Sequence, residues 1–468
     1  MNQPINLLIS GGVVIAMDPE RRVIADGAVA IAGSRLVAVG PRAEVEAAHG
    51  PAKRRIDATG KAVLPGFIDL HGHAGHALAK SIGDTGEDWM HLTGALYARG
   101  ADTDFWRVEA LLSGLERIRC GTTTACLLFG GGPDVMRTED TRAADAHLQA
   151  IEQLGLREVL AVGPGRPPFP LAYLDWDHGA TPREVSVTPE RQIDTAETII
   201  DRWHGKAGGN IRIACSLPVF LDQRWTDQEV RLSVRTRELA QRKGVLLVQD
   251  GHREGSIARS QRFAGLPAPN AVFAHCVELT EDDIATLERS GAKVAHNPSA
   301  LMSVRGRCPA PELMQRGIVV GIGSDGPAPD RPFDMFRHLF QLMRYHARHF
   351  RDDTVLPATR ALEMATIEGA KALGMEKEIG SLEPGKRADV ILVDLTAPHL
   401  APLGAPVRRL ATFANGGDVD MVLVNGRILM EGRKVPGHDM LAIGREAQAS
   451  ASRALERIGF TADQFGWS

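Results

Sequence analysis

The sequence predicts an α/β fold: a distorted TIM (β/α)8 barrel with a small composite β-sandwich domain formed by the N- and C-terminal segments. Three observations lead there. Short apolar strands alternate with helical stretches through the middle of the chain, the mark of βα units on a parallel sheet. Eight such strands fall within about 320 residues, which suits one barrel. Strand-rich segments flank them at both ends, and neither can bury a large core alone, so the two are expected to pack together. The expected division is 1–62 with 387–440 as the sandwich, 63–386 as the barrel, and 441–468 as a C-terminal helical extension.

At the N-terminus, Leu7–Ile9, Val13–Ile15, Ala28–Ile31 and Leu36–Val39 are β-rich, with turns expected at Gly11-Gly12, Asp18-Pro19, Gly27 and Gly33-Ser34. The barrel strands are then the apolar run Val63–Leu70, Thr122–Leu128, Val159–Gly163, Ile211–Ser216, Val245–Asp250, Ala271–His275, Lys293–His296 and Ile318–Asp325. Ala388–Val393 and Val419–Arg427 return to strand. Ala447, Ala451, Leu455 and Ile458 recur at helical spacing, which predicts an outer helix. A doubly wound open sheet competes with the barrel, but it usually carries a Gly-rich phosphate loop after its first strand, and none occurs here.

The 468 residues are 44% hydrophobic and 24% charged, with a formal net charge of -4, an ordinary globular composition. There is no basic footprint for nucleic acid and no apolar stretch near the ~20 residues that span a bilayer. The start, Met1-Asn2-Gln3-Pro4, lacks a charged region followed by an apolar one, so no secretory signal is expected. Five scattered cysteines, none in a C-x-x-C pair, suit a reducing cytoplasm and argue against cysteine metal ligation. The expected partner is a small-molecule substrate, with the chain assembled as a homo-oligomer (dimer or tetramer).

His71-Gly72-His73 follows the first apolar run. Alternate residues of a strand share a face, so both imidazoles project together, as a transition-metal site requires. Polar residues also end later strands: Gln249, Asp250 and His252 after the fifth, His275 after the sixth, His296-Asn297 after the seventh, and Asp325 at the eighth. In a barrel these ends converge on one mouth. Asp325 can ligate a cation and accept a proton from its water, whose pKa a divalent ion lowers toward ~7. His275 is placed to stabilise a developing oxyanion, and Asn297 to donate a hydrogen bond. Trp89 is expected on a mouth-covering loop, and the loop Tyr173–His178 is a further substrate-contact candidate. Cys276 is expected in packing, and His346 and His349 on a solvated helix face.

These residues resemble the amidohydrolase superfamily, in particular its cytosine deaminase and chlorotriazine hydrolase-like branch. The matching pieces are Leu64–His73, Cys120–Thr124, Ala274-His275-Cys276, Gly321–Gly326 and Gly380–Asp389, in the right order along nearly the whole chain. The resemblance implies one divalent cation, Zn2+ with Fe2+ or Co2+ as alternatives, held by His71, His73 and Asp325, with His275 near the substrate. One segment departs. The branch carries His-x-x-Glu after the fifth strand, its His a ligand and its Glu a proton shuttle to a ring nitrogen. Here the chain reads Val248-Gln249-Asp250-Gly251-His252-Arg253-Glu254. The favoured reading takes His252 as the fourth ligand and Glu254 as the acid, with Gln249 contacting substrate. The other lets Gln249 or Asp250 ligate while His252 acts on the substrate. The fourth strand shows no carboxylated-lysine motif, so one metal is expected.

Losing the usual Glu weakens ring deamination, which needs a proton delivered to the ring. Hydrolysis of a non-peptide C–N bond (amide, urea or carbamate-like) therefore comes first, and deamination of a nucleobase, pterin or triazine-like compound second. A metal-free, non-enzymatic barrel scaffold comes last, because His71, His73 and Asp325 are all retained.

Overall fold

The computed structural model describes residues 5–82, 88–130, 135–300, 304–402 and 404–460. The start Met1–Pro4 and positions 461–468 of the expected extension lie outside the described residues. The chain divides into two compact units, residues 1–70, 115–124 and 333–438, and residues 71–114, 125–332 and 439–468.

In the first unit, both ends of the chain join in one mixed eight-stranded sheet. Its order is Arg427–Glu431, Val419–Val424, Val390–Asp394, Lys61–Pro65, Leu7–Ile15, Val23–Ala32 and Arg35–Pro41, with Arg54–Asp57 also paired to Leu7–Ile15. Alternation along these strands feeds two apolar clusters: Ile9, Val29, Val63, Val390 and Leu423 meet in one, and Leu8, Ala28, Ala30 and Val45 in the other. The expected turn at Gly11-Gly12 is instead a bulged stretch within Leu7–Ile15, where the pairing register shifts on either side of Gly12. Gly27 likewise lies inside a strand, because a Cβ there would come within 2.4 Å of Val14 Cγ2.

The second sheet holds eight neighbouring strands in chain order: β1 (Phe67–Ala74), β2 (Thr122–Phe129), β3 (Arg157–Val162), β4 (Ile211–Ser216), β5 (Leu247–Gln249), β6 (Ala271–Ala274), β7 (Lys293–His296) and β8 (Val320–Ile322). The registered pairs from β3 to β8 are parallel. Helices such as Arg142–Leu154, Pro189–Trp203 and Asp227–Lys243 follow the strands. Each of the last two opens on a threonine whose side chain accepts an N–H of the first turn. A parallel bridge between Gly72 and Asp325, with the Asp325 N–H donating to the His71 carbonyl at 2.9 Å, brings the last strand back to the first. This is a nearly closed parallel barrel with an additional sheet domain.

The apolar run Val63–Leu70 was expected as one strand and is two. Lys61–Pro65 belongs to the terminal sheet, and Phe67–Ala74 opens the barrel. Pro65 has no N–H for a ladder. Gly66 passes so close to its neighbour that a Cβ would sit 2.1 Å from Thr123 Cγ2. His71 and His73 consequently lie inside β1 rather than after it. His346 is also corrected: it is buried on the helix Met335–Phe350, whose other polar face carries the exposed His349.

Asp69 on β1 takes the guanidinium of Arg117, Nε to Oδ2 at 3.2 Å, with both side chains 1% exposed. The guanidinium carbon lies 3.6 Å from the centre of the Phe333 ring. Breaking such a buried pair costs about 3–5 kcal/mol. Arg117→Met should therefore lower the free energy of unfolding by that amount, read by denaturant titration, and Asp69→Asn added to it should recover part of the loss. Just past β8, a Cβ at Gly323 would come within 2.3 Å of Asn297 Oδ1 and 2.7 Å of His71 Cβ. Gly323→Ala should cost about 1–3 kcal/mol by overpacking, read by thermal unfolding; an unchanged midpoint would show that the strands have room to part.

Candidate metal centre and active site

Strand alternation sets His71 and His73 on one side of β1, and the two rings meet edge to face with centroids 5.0 Å apart. Asp325 comes from the segment after β8. Its Oδ1 lies 3.2 Å from His73 Nε2 and 3.8 Å from His71 Nε2. Asp250, one residue past β5, reaches the same place: Oδ1 is 3.3 Å from His71 Nε2 and 3.0 Å from His275 Nε2, and Oδ2 is 3.4 Å from His73 Nε2. Ligand atoms of His71, His73 and Asp325 all lie within 4.8 Å of one another, as do those of His71, Asp250 and His275.

The backbone is forced at this rim. His275, Cys276 and Asp325 have φ of 66°, 51° and 62°, a left-handed region uncommon for residues with a side chain. Such strain collects where a site must be held in shape. The Asp325 carboxylate is tied by the Gly326 N–H to Oδ1 at 2.7 Å. Arg331 lies 3.5 Å from its Oδ2 while donating to the Gly326 and Ala328 carbonyls at 2.8 and 2.7 Å.

Burial alone would raise both carboxylates, but their neighbours prevail. The His71 and His275 imidazoles hold Asp250 well below the usual carboxylate range. Arg331, then His73, does the same for Asp325. Both acids are therefore anions in a buried site. Neither ring nitrogen of His71 makes a hydrogen bond, nor does His73 Nδ1. Two carboxylates ringed by imidazoles with unsatisfied nitrogens form a donor set that suits a divalent cation.

The remaining sequence candidates divide. Asn297 Nδ2 stands 3.3 Å from His275 Nδ1. Trp89, expected on a loop, lies instead on the helix Asp88–Ala95, buried, its ring 6.0 Å from that of His76 and 5.8 Å from the Arg331 guanidinium carbon. Gln249 is buried and donates to the Pro218 carbonyl at 3.3 Å. His252 joins neither ligand group. Its Nδ1 is held 2.9 Å from Ser256 Oγ, its ring packs 4.2 Å from that of Phe273, and burial pushes its pKa down to about 3. Glu254 is exposed, and its backbone carbonyl accepts from Arg259. Of the departing segment, Asp250 is thus the residue brought to the cluster. Tyr173–His178 forms part of a hairpin, with the Tyr173 hydroxyl donating to the Met136 carbonyl and Trp176 Nε1 to that of Arg99.

Two neighbours were not foreseen. His76 stacks on His73 at 4.6 Å, buried, with neither ring nitrogen hydrogen-bonded. Its place three residues past His73 was the available signal. Arg331, in the loop after Asp325, carried none.

A family model described as the amidohydrolase family matches residues 238–429. A 5-methylthioadenosine/S-adenosylhomocysteine deaminase of Pelotomaculum thermopropionicum is 32% identical over 467 residues, 97% of this chain and 99% of that one. Another, from Syntrophobacter fumaroxidans, is 34% identical over 447 residues, 92% and 94% of the two chains. Among solved structures, a zinc-bound adenosine deaminase of Xanthomonas campestris superposes with a TM-score of 0.82 at 24% identity, over 97% of this chain and 100% of that one. The atrazine chlorohydrolase of Arthrobacter aurescens, also with zinc, gives 0.79 at 23% identity, over 95% and 100%. With the barrel, the clustered histidines and aspartates, and relatives matched end to end, the chain belongs to the amidohydrolase family, enzymes that hydrolyse C–N bonds.

Proposed function

We propose that His71, His73, Asp250 and Asp325 hold one divalent cation, Zn2+ in first place and Fe2+ or Co2+ as alternatives, and that the site hydrolyses an amide, urea or carbamate-like C–N bond of a small molecule. The observation that carries this reading is the Asp250 carboxylate among the imidazoles of His71, His73 and His275. It takes the ligand place first expected of His252, which Ser256 and Phe273 engage elsewhere. When bound, a divalent cation acts as a Lewis acid and lowers the pKa of water to about 7.

The chain's own residues do the rest. Asp325, kept ionised beside Arg331, is the proton acceptor. His275, buried with its Nε2 toward Asp250, aligns that carboxylate and lies beside the reacting centre. Trp89 excludes water from the side of His76 and Arg331. Glu254, exposed, has no part in this scheme. Hydrolysis of an acyclic C–N bond needs the leaving nitrogen protonated, and Asp325 can return the proton it has accepted. The five cysteines form no disulfide with one another, which supports a cytoplasmic setting. Among the described residues no helix is long and apolar enough to cross a membrane.

Deamination of a nitrogen heterocycle is the second reading, favoured by the deaminase relatives. Product mass over a panel of amides, carbamates and substituted ureas tests the first reading. Ammonia release from nucleobases, 5′-methylthioadenosine, pterins and triazines tests the second. His71→Ala should abolish turnover with the fold retained by circular dichroism, and unchanged turnover would refute the site. Asp250→Ala should weaken cation binding by about tenfold or more, measured by chelator competition; undiminished binding would return the ligand place to His252. Glu254→Gln should keep its rate within about twofold, and a large loss would move the assignment to the deaminase.

A further inference from the structure

After the helix Asp88–Ala95, which carries Trp89, the chain makes a wide π-type turn, Leu96–Gly100, closed by the Ala101 N–H on the Leu96 carbonyl at 2.9 Å. Such turns are rare and gather at functional sites. The last carbonyls of a helix also lack partners within it. Tyr97 of this turn reaches the cation centre at one remove. Its ring stacks on that of His76, centroids 5.8 Å apart at 21°, and the His76 ring stacks on that of His73 at 4.6 Å and 15°. Tyr97 and His76 are both buried.

The turn is held from outside. Arg137, buried and paired with Glu139, donates to the Tyr97 and Ala101 carbonyls at 2.7 and 3.1 Å. Trp176 Nε1 donates to the Arg99 carbonyl at 2.6 Å. Arg457, at the end of the helix Met440–Arg457, donates to the Gly100 carbonyl at 2.9 Å and to Asp102 Oδ2 at 2.8 Å. Its guanidinium carbon stands 4.5 Å from the centre of the Trp176 ring, so the two outer donors brace each other. A Cβ at Gly100 would come within 2.3 Å of the Ala454 carbonyl oxygen, so this helix rests directly on the turn. Backbone acceptors that the local fold leaves open are thus satisfied by side chains from distant segments.

We infer that Arg457 and Trp176 are positioning residues for the centre: they hold the turn Leu96–Gly100 in its wide form, which seats Tyr97 on His76 and, through it, His76 on His73. The C-terminal helix is then part of the active-site support and not only an outer covering. Groups behind a ligand orient it, and losing them weakens or distorts the site. The reach to a ligand rests on the cation site proposed above; the seat of Tyr97 does not.

The chain has three tyrosines, so the full-length protein labelled in its tyrosine ring carbons gives a small set of signals, and those of Tyr97 are the ones lost in Tyr97→Phe. Arg457→Met should displace the Tyr97 signals beyond their line width, and Arg457→Lys should bring them part of the way back. Trp176→Phe, which keeps a ring and loses the N–H, should displace them as well, and serves if Arg457→Met does not fold. The control is Arg453→Met on the same helix, which removes an exposed ion pair with Asp104 and leaves the turn's donors in place. Tyr97 signals unmoved in both Arg457→Met and Trp176→Phe, or moved equally in Arg453→Met, would overturn the inference, the last because it marks a general loosening of the helix. Cobalt(II) loading gives the second arm. The visible absorption should change in Arg457→Met and stay unchanged in Arg453→Met. Identical bands in Arg457→Met would end the effect at Tyr97 and overturn its reach to the centre. Cobalt uptake undiminished in His71→Ala would instead sink the cation site, and the tyrosine signals would still decide whether the turn is held as described.

Discussion

The hydrogen bond from the Asp325 N–H to the His71 carbonyl is the contact on which the site depends. It joins the last strand of the barrel to the first, and so sets a carboxylate from one end of the barrel sequence beside two imidazoles from the other. A lone backbone hydrogen bond is worth only about 1 kcal/mol. Its effect here is geometric. With Gly72 and Asp325 in parallel bridge, the side chain of Asp325 can only emerge next to His71 and His73, and its left-handed backbone aims the carboxylate inward.

Around that closure the charges are arranged so that both acids stay ionised in a place that would otherwise protonate them. Desolvation disfavours a buried carboxylate, and only close partners reverse the balance. Asp250 relies on imidazoles, Asp325 on a guanidinium that is itself fixed by two backbone carbonyls. The two acids are therefore not equivalent. One is held by groups of the centre itself, the other from behind by a side chain that also pins the loop it belongs to.

Much of the architecture was legible because barrels write themselves as periodic apolar runs. All eight barrel strands were found at or near their places, since each is short, buried and β-branched. The polar residues at their ends were found for the same reason. What was not legible depended on contacts between distant segments. The local break at Pro65-Gly66 was outweighed by the apolar, extended residues on both sides of it; the partners that separate the two strands, Asp389 and Thr123, lie far along the chain. In the segment after β5, spacing favoured His252 as the ligand and left Gln249 or Asp250 as the alternative. Ser256, four residues on, engages His252, a contact that the spacing did not reveal. Arg331 was invisible because an arginine in a proline-rich loop reads as solvated, and only the folded loop buries it.

The junction at Pro65-Gly66 has a consequence for how this chain can change over time. Two sheets draw their strands from one uninterrupted stretch, and side chains alternate faces with every step. Removing or adding a single position there would turn His71 and His73 away from the mouth even if every amino-acid type were kept. Substitution between Val63 and Leu70 is thus a matter of size and shape, and at Asp69 also of charge, whereas insertion or deletion moves both imidazoles at once. Length, more than composition, is what natural drift must leave untouched in this part of the chain.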